Sequence, residues 1–151
     1  MSVVPPEVDI LLVEDDAKAR MLLTEVLTQA GDSITAAADG EQALSLLEAQ
    51  QTQGLHFSVV ISDIRLGAVD GIQVLTAARK QLMPPAVILL TGYGSIETTV
   101  AAMRIGAFDY LLKPFAPAAL LTSVARAVEQ RAVEQKQSEA LRVIANVAEQ
   151  L

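Results

Sequence analysis

Asp63 closes the run VVISD, a carboxylate set where a buried strand stops. The same punctuation recurs along the chain: Glu14, Asp15 and Asp16 follow VDILLV, Thr91 and Gly92 end AVILLTG, and Lys113 and Pro114 end FDYLLKP. Each has a plain structural use when taken singly. Asp15 or Asp16 and Thr91 can cap the helices that follow, and Lys113 can be a solvated surface lysine. Taken together they ask for more. Carboxylates gathered at one point repel by about 4 kcal/mol per pair at 4 Å for an effective dielectric near 20, so a fold keeps them only where a cation offsets that cost. Lys113 alone cannot neutralise Glu14, Asp15 and Asp63. The chain has no cysteine and one histidine, His56, which precedes a different apolar run and reads as a loop residue. The available ligands are therefore oxygens, the donor set of a hard divalent cation and most naturally of Mg2+.

These residues meet only if the apolar runs lie side by side in one direction. Period-2 and period-3.6 patterns do alternate with that regularity. VDILLV (8 to 13), SITAAA (33 to 38), FSVVIS (57 to 62), AVILLT (86 to 91) and FDYLLK (108 to 113) read as strands. Between them AKARMLLTEVLTQAG, GEQALSLLEAQQTQG, GIQVLTAARKQL and SIETTVAAMRIGA read as helices, the first with Met21, Leu22, Glu25, Val26 and Gln29 in helical rows. Asp70 before Gly71 reads as a helix cap, and Met21, Met83 and Met103 as gap-fillers. APAALLTSVARAVEQ is the last helix, with Pro117 suited to its first turn. Five strands alternating with five helices specify an α/β fold, a parallel sheet covered on both faces. In such a sheet, ligands bind beyond the carboxyl ends of the strands, which is where the polar residues stand.

Past Val128 the composition turns rich in Gln, Glu and Ala, with Ala140, Leu141, Ile144, Val147, Ala148 and Leu151 three and four apart. A helix leaving the domain, a dimerisation seam and a linker to an output module all fit that stripe. The domain reading is 7–130 for the compact unit and 131–151 for a helical extension. A net charge of -7 argues against a sequence-independent grip on nucleic acid or on an anionic membrane. The opening MSVVPPEVDI lacks a basic region followed by a long apolar one, and no apolar run approaches the roughly 18 residues of a membrane helix, so a cytoplasmic location is expected. LTGYGS lacks the spacing of a nucleotide-cradling loop.

In order and context, VEDD, SDIR, LTGYGS and DYLLKPF resemble the receiver domain of bacterial two-component response regulators, over about residues 8 to 130. The resemblance implies a flavodoxin-like doubly wound sheet of order 2-1-3-4-5. It implies Asp63 as phosphoacceptor, with Lys113 and Thr91 completing the reactive set. Mg2+ would be held by Asp15, Asp63, the backbone carbonyl of Arg65 and Glu14, the last through water. Thr91 and Tyr110 would be the switch residues, and Pro114 would follow a cis peptide bond. The implied partner is a histidine kinase or phosphotransfer protein. The implied output is a changed face of the fourth helix, fifth strand and fifth helix, or a homodimer through that face or the C-terminal helix. Such a protein catalyses only its own phosphorylation and dephosphorylation.

An aspartate that attacks a phosphoryl group needs its own charge and the incoming charge offset, and positioning does most of the rest. Arg65 and Tyr93 are bulky where water would attack the acyl phosphate in this family, so slow self-dephosphorylation is expected. One position departs from the family: Gly67 stands where proline is usual, which loosens the loop presenting the Arg65 carbonyl. Two other functions compete. A Mg2+-dependent small-molecule phosphatase would use Asp63 as nucleophile, but its second acid would stand where Arg65 is. A scaffold that is never phosphorylated has no need of Asp63, Asp15, Thr91 and Lys113 together.

Overall fold

The computed structural model describes residues 8–92 and 96–150. β1 (Asp9–Val13), α1 (Ala17–Gln29), β2 (Ser33–Ala37), α2 (Gly40–Thr52) and β3 (Val59–Asp63) form the first half of the chain. α3 (Gly71–Arg79), β4 (Ala86–Thr91), α4 (Ile96–Ile105), β5 (Asp109–Leu112) and α5 (Pro117–Glu149) complete it. The strands pair in parallel, as the sequence pattern predicts, in the order β2-β1-β3-β4-β5 that the resemblance implies. Register is set by alternation. Ile10 pairs with Val59 and Leu12 with Ile61, and these side chains face α1 and α5, whereas Leu11, Val13 and Val60 face α2, α3 and α4. A slip of one residue would exchange the two faces of every strand, so the packing of both helix layers fixes it. Each fully buried Ile, Leu or Val contributes about 1.5–3 kcal/mol.

The helix starts follow local chemistry. Asp16, Asp39 and Asp70 each accept a backbone N–H of their helix's first turn, and Gln73 returns the favour to Asp70 in a capping box. Pro117 stands in the first turn of α5, where its missing N–H costs nothing.

α1 departs from the expected pattern. Its buried residues are Leu23 and Leu27, one turn apart, while Met21 and Leu22 are exposed. The sheet takes the 23/27 row, and Leu22 and Val26 turn instead toward Pro114 and Phe115 across a groove of about 450 Å³. Met83 and Met103 are exposed as well, so none of the three methionines fills a core gap. α5 runs unbroken through residue 130, and the Arg131 side chain still holds the domain by donating from Nε to the Pro84 carbonyl at 3.2 Å. Beyond it Leu141, Val143, Ile144 and Val147 are exposed. No described helix is long and apolar enough to cross a membrane.

Candidate functional site

Four strands deliver the site. β1 and β3 are neighbours, so the turn after Val13 and the last residue of β3 lie side by side; β5 reaches the same rim across β4. Glu14 is 1 % exposed, Asp63 9 % and Thr91 2 %. Asp15 is exposed. One carboxylate oxygen from each of Glu14, Asp15 and Asp63 lies within 4.8 Å of the others. Lys113 Nζ bridges two of them, donating to Glu14 Oε2 at 2.8 Å and to Asp63 Oδ2 at 3.1 Å.

The backbone around these groups is pinned. Glu14 N–H donates to the Ala37 carbonyl and Lys113 N–H to the Thr91 carbonyl, extending both ladders past the formal strand ends. Arg20, one turn into α1, donates from Nη1 to the Glu14 carbonyl at 2.8 Å and to the Asp15 carbonyl at 3.4 Å, which fixes the acidic turn. Asp63 Oδ1 accepts the Arg65 N–H at 3.3 Å, so the loop after β3 is tied to the carboxylate it serves. The Lys113-Pro114 peptide bond is cis, as expected.

Electrostatics follow from burial. Burial raises the Glu14 carboxyl above its ordinary pKa, against the lowering pull of Lys113 and the Asp16 N–H, and the Asp63 charge pushes the same way as burial. Burial works against the Lys113 ammonium too, but its two carboxylate partners outweigh that and hold its pKa above the ordinary value. The three clustered carboxylates outnumber Lys113 and the Arg20 guanidinium beside them, which leaves the pocket net negative. Its donors are all oxygen, crowded and partly dehydrated, so the residues present fit a hard divalent ion.

Two glycines shape the loop between β3 and α3. A Cβ on Gly71 would run into the Asp63 carbonyl oxygen and lie 2.8 Å from Ile64 Cα, so only glycine lets α3 start against the end of β3. Gly67 has φ +98°, a left-handed conformation that the ring of proline, with φ near -65°, cannot adopt. The departure at this position is therefore a different backbone path. Tyr110 lies opposite Leu89 in the β4–β5 pairing and packs on the core beneath α2, α3 and α4. Its Oη is buried and has no hydrogen-bond partner among the described residues. Tyr93 lies outside the described residues.

The sequence reading singled out Glu14, Asp15, Asp63, Thr91 and Lys113, and the fold brings their strand ends to one rim. It missed Arg20, whose role depends on the turn geometry, and it read Gly71 only as part of a cap. The adjacent Asp-Gly pair was the available signal for the latter.

The response regulator receiver domain family matches residues 10–125 of the chain. The chain belongs to that family. It is similar to the response regulator protein FleR of Pseudomonas aeruginosa, 42 % identical over 117 residues, which are 78 % of this chain and 24 % of FleR. It is also similar to the transcriptional regulatory protein FixJ of Bradyrhizobium diazoefficiens, 35 % identical over 121 residues, 80 % of this chain and 57 % of FixJ. Among solved structures, a CheY-like receiver domain from Methanospirillum hungatei matches with a TM-score of 0.78 at 27 % identity, covering 85 % of this chain and 99 % of that one. The chain thus spans about a quarter of FleR and somewhat over half of FixJ.

Proposed function

We propose that this receiver is a phosphorylation-activated signalling module that accepts a phosphoryl group on Asp63 from a histidine kinase or phosphotransfer protein in the cytoplasm. The observation that carries the reading is the contact of Lys113 Nζ with Asp63 Oδ2 at 3.1 Å, beside the clustered carboxylates of Glu14 and Asp15. In the transfer, an Asp63 oxygen forms a bond to phosphorus as the donor's nitrogen–phosphorus bond breaks and the electron pair leaves with the imidazole. Asp15, Asp63, Glu14 and the Arg65 carbonyl would hold Mg2+. When bound, that ion offsets the charge of the carboxylates and the phosphoryl oxygens. Lys113 is placed to follow the transferred charge, and Gly92, with no atom near the position of its missing Cβ, leaves room beside it.

The acyl phosphate replaces one negative charge by nearly two and adds strong acceptors. Thr91, at the end of β4, moves inward to donate to it. Tyr110 then repacks, its buried Oη having no hydrogen-bond partner among the described residues. The face of α4, β5 and α5 changes with it, and that face already exposes Val100, Met103 and Leu112. The shift can be no larger than the difference in phosphoryl affinity between the two arrangements. Arg65 and Tyr93 slow the hydrolysis of the acyl phosphate. The donor docks in the apolar groove between α1 and the β5–α5 loop, because that groove is lined by Lys113 itself together with Leu22, Val26 and Phe115. Residues 131–151 form an extension that joins an output module or a second copy.

Beryllofluoride with Mg2+ tests the reading. Stoichiometric uptake with shifts at Thr91, Tyr110 and α4 is expected. Catalytic turnover of a small phosphate ester would instead indicate an enzyme, and no uptake at all a scaffold.

A further inference from the structure

A cavity of about 350 Å³ lies at the rim opposite Asp63, among Pro84 and Ala86 at the start of β4, Phe108 before β5, and the flank of α5. The six residues of β4 separate the two rims by roughly 20 Å. In a chain of net charge -7, this cavity is lined by Arg79, Arg126 and Arg131 against a single carboxylate, Glu134. Two of the arginines are clamped on successive carbonyls of one dipeptide: Arg131 Nε donates to Pro84 O at 3.2 Å and Arg79 Nη1 to Pro85 O at 3.3 Å. Like charges are thereby held near each other. Arg131 Nη2 is buried and has no hydrogen-bond partner among the described residues. Burial disfavours the charge on Arg131, with only partial relief from Glu134.

Nε is taken by Pro84 and Nη2 is covered, so the guanidinium must turn toward the cavity for a planar or tetrahedral oxyanion to accept from Nη1 and Nη2 in a fork. We propose that this cavity is an anion-binding site that takes a compact oxyanion, carboxylate or phosphate, on Arg131 with Arg79 and Arg126 flanking it. The volume is of the size of small-ligand pockets. The site is separate from the phosphoacceptor rim and needs no magnesium. The oxyanion is either a free phosphate or a carboxylate presented by a partner, and the two sources differ in which probe binds. The chain's one histidine reports on the site, because the Arg131 charge, after burial, helps hold the His56 pKa below its ordinary value.

Inorganic phosphate and citrate are titrated separately into the full chain in metal-stripped buffer, followed by the backbone amides and the arginine Nε–H signals in NMR spectra. Saturable shifts are expected at Gly106, Ala107, Phe108 and Arg131 Nε–H, together with a rise in the His56 titration midpoint. Binding of phosphate alone assigns a free-phosphate site, and binding of citrate a carboxylate site. In Arg131→Gln the dissociation constant rises about tenfold. Arg131→Lys keeps the charge and loses the fork, and it too weakens binding. Should Arg131→Gln fail to fold, Arg126→Gln at an exposed position weakens binding severalfold. Shifts confined to Thr91, Lys113 and Asp63, no binding of either anion, or equal affinity in the folded variants would overturn the proposal.

Discussion

Replacing Asp15 by Asn removes a charge while keeping the shape of the side chain, and its effect should change sign with magnesium. One Asp15 oxygen lies within 4.8 Å of oxygens of Glu14 and Asp63. At that distance each pair repels by about 1 kcal/mol in water-like surroundings and about 3.5 kcal/mol at an effective dielectric of 20. Asp15 is exposed, so the lower figure governs, and its two partners sum to roughly 2 kcal/mol. Lys113, hydrogen-bonded to Glu14 and Asp63, and the Arg20 guanidinium on the Asp15 carbonyl offset part of that, leaving Asp15→Asn more stable by about 1 kcal/mol. For a chain of this length that is a rise in Tm of about 2–4 °C. At the proposed magnesium site, the ion at a hundredfold excess over its Kd should add about 2.7 kcal/mol to the wild type. The variant, short of one of the proposed anionic ligands, should gain far less, so the order of stability should reverse. Urea unfolding in metal-stripped buffer and in saturating magnesium measures both values. An Asp15→Asn protein no more stable than wild type without metal, or equally stabilised by magnesium, would show that Asp15 neither repels its neighbours nor helps hold the ion.

Gly71→Ala should cost about 2 kcal/mol by overpacking, because its Cβ would press on the Asp63 carbonyl and Ile64 Cα, and it should slow labelling of Asp63; urea midpoints and labelling rates check both. Leu22→Glu should slow phosphoryl transfer from a histidine-bearing donor about tenfold. Labelling by acetyl phosphate should be unchanged, and stability should stay within about 0.5 kcal/mol because Leu22 is exposed. His56 is held below its ordinary value of 6.5 by burial and then by Arg131, so on acidification the unfolded chain takes up the proton first. Stability should therefore fall as pH drops below 6.5, and His56→Gln should flatten that slope in denaturation series across pH.

The sheet was legible because strand and helix periods alternate cleanly, and because a parallel strand buried on both faces reads as an apolar run, as AVILLT does. The reactive rim was legible because it stands at the ends of those runs. The face of α1 was misread, since Met21, Leu22 and Val26 are as apolar as Leu23 and Leu27, and only the neighbours decide which row meets the sheet. The continuity of α5 past residue 130 was open for the same kind of reason: composition changes there but helical propensity does not. Gly67 carried an ambiguous signal. Proline's absence suggested a looser loop, whereas φ +98° is a specific turn that glycine makes possible. Arg20 and the Arg79–Arg131 cluster are invisible in sequence because each depends on carbonyls brought near by the fold.

The most direct measurement is intact-mass and peptide mapping of the protein after incubation with acetyl phosphate and magnesium. One phosphoryl group is expected, acid-stable and hydroxylamine-labile, on the peptide containing Asp63, and absent from Asp63→Asn. An unmodified wild-type protein, or a label that persists in Asp63→Asn, would contradict the assignment of Asp63 as phosphoacceptor.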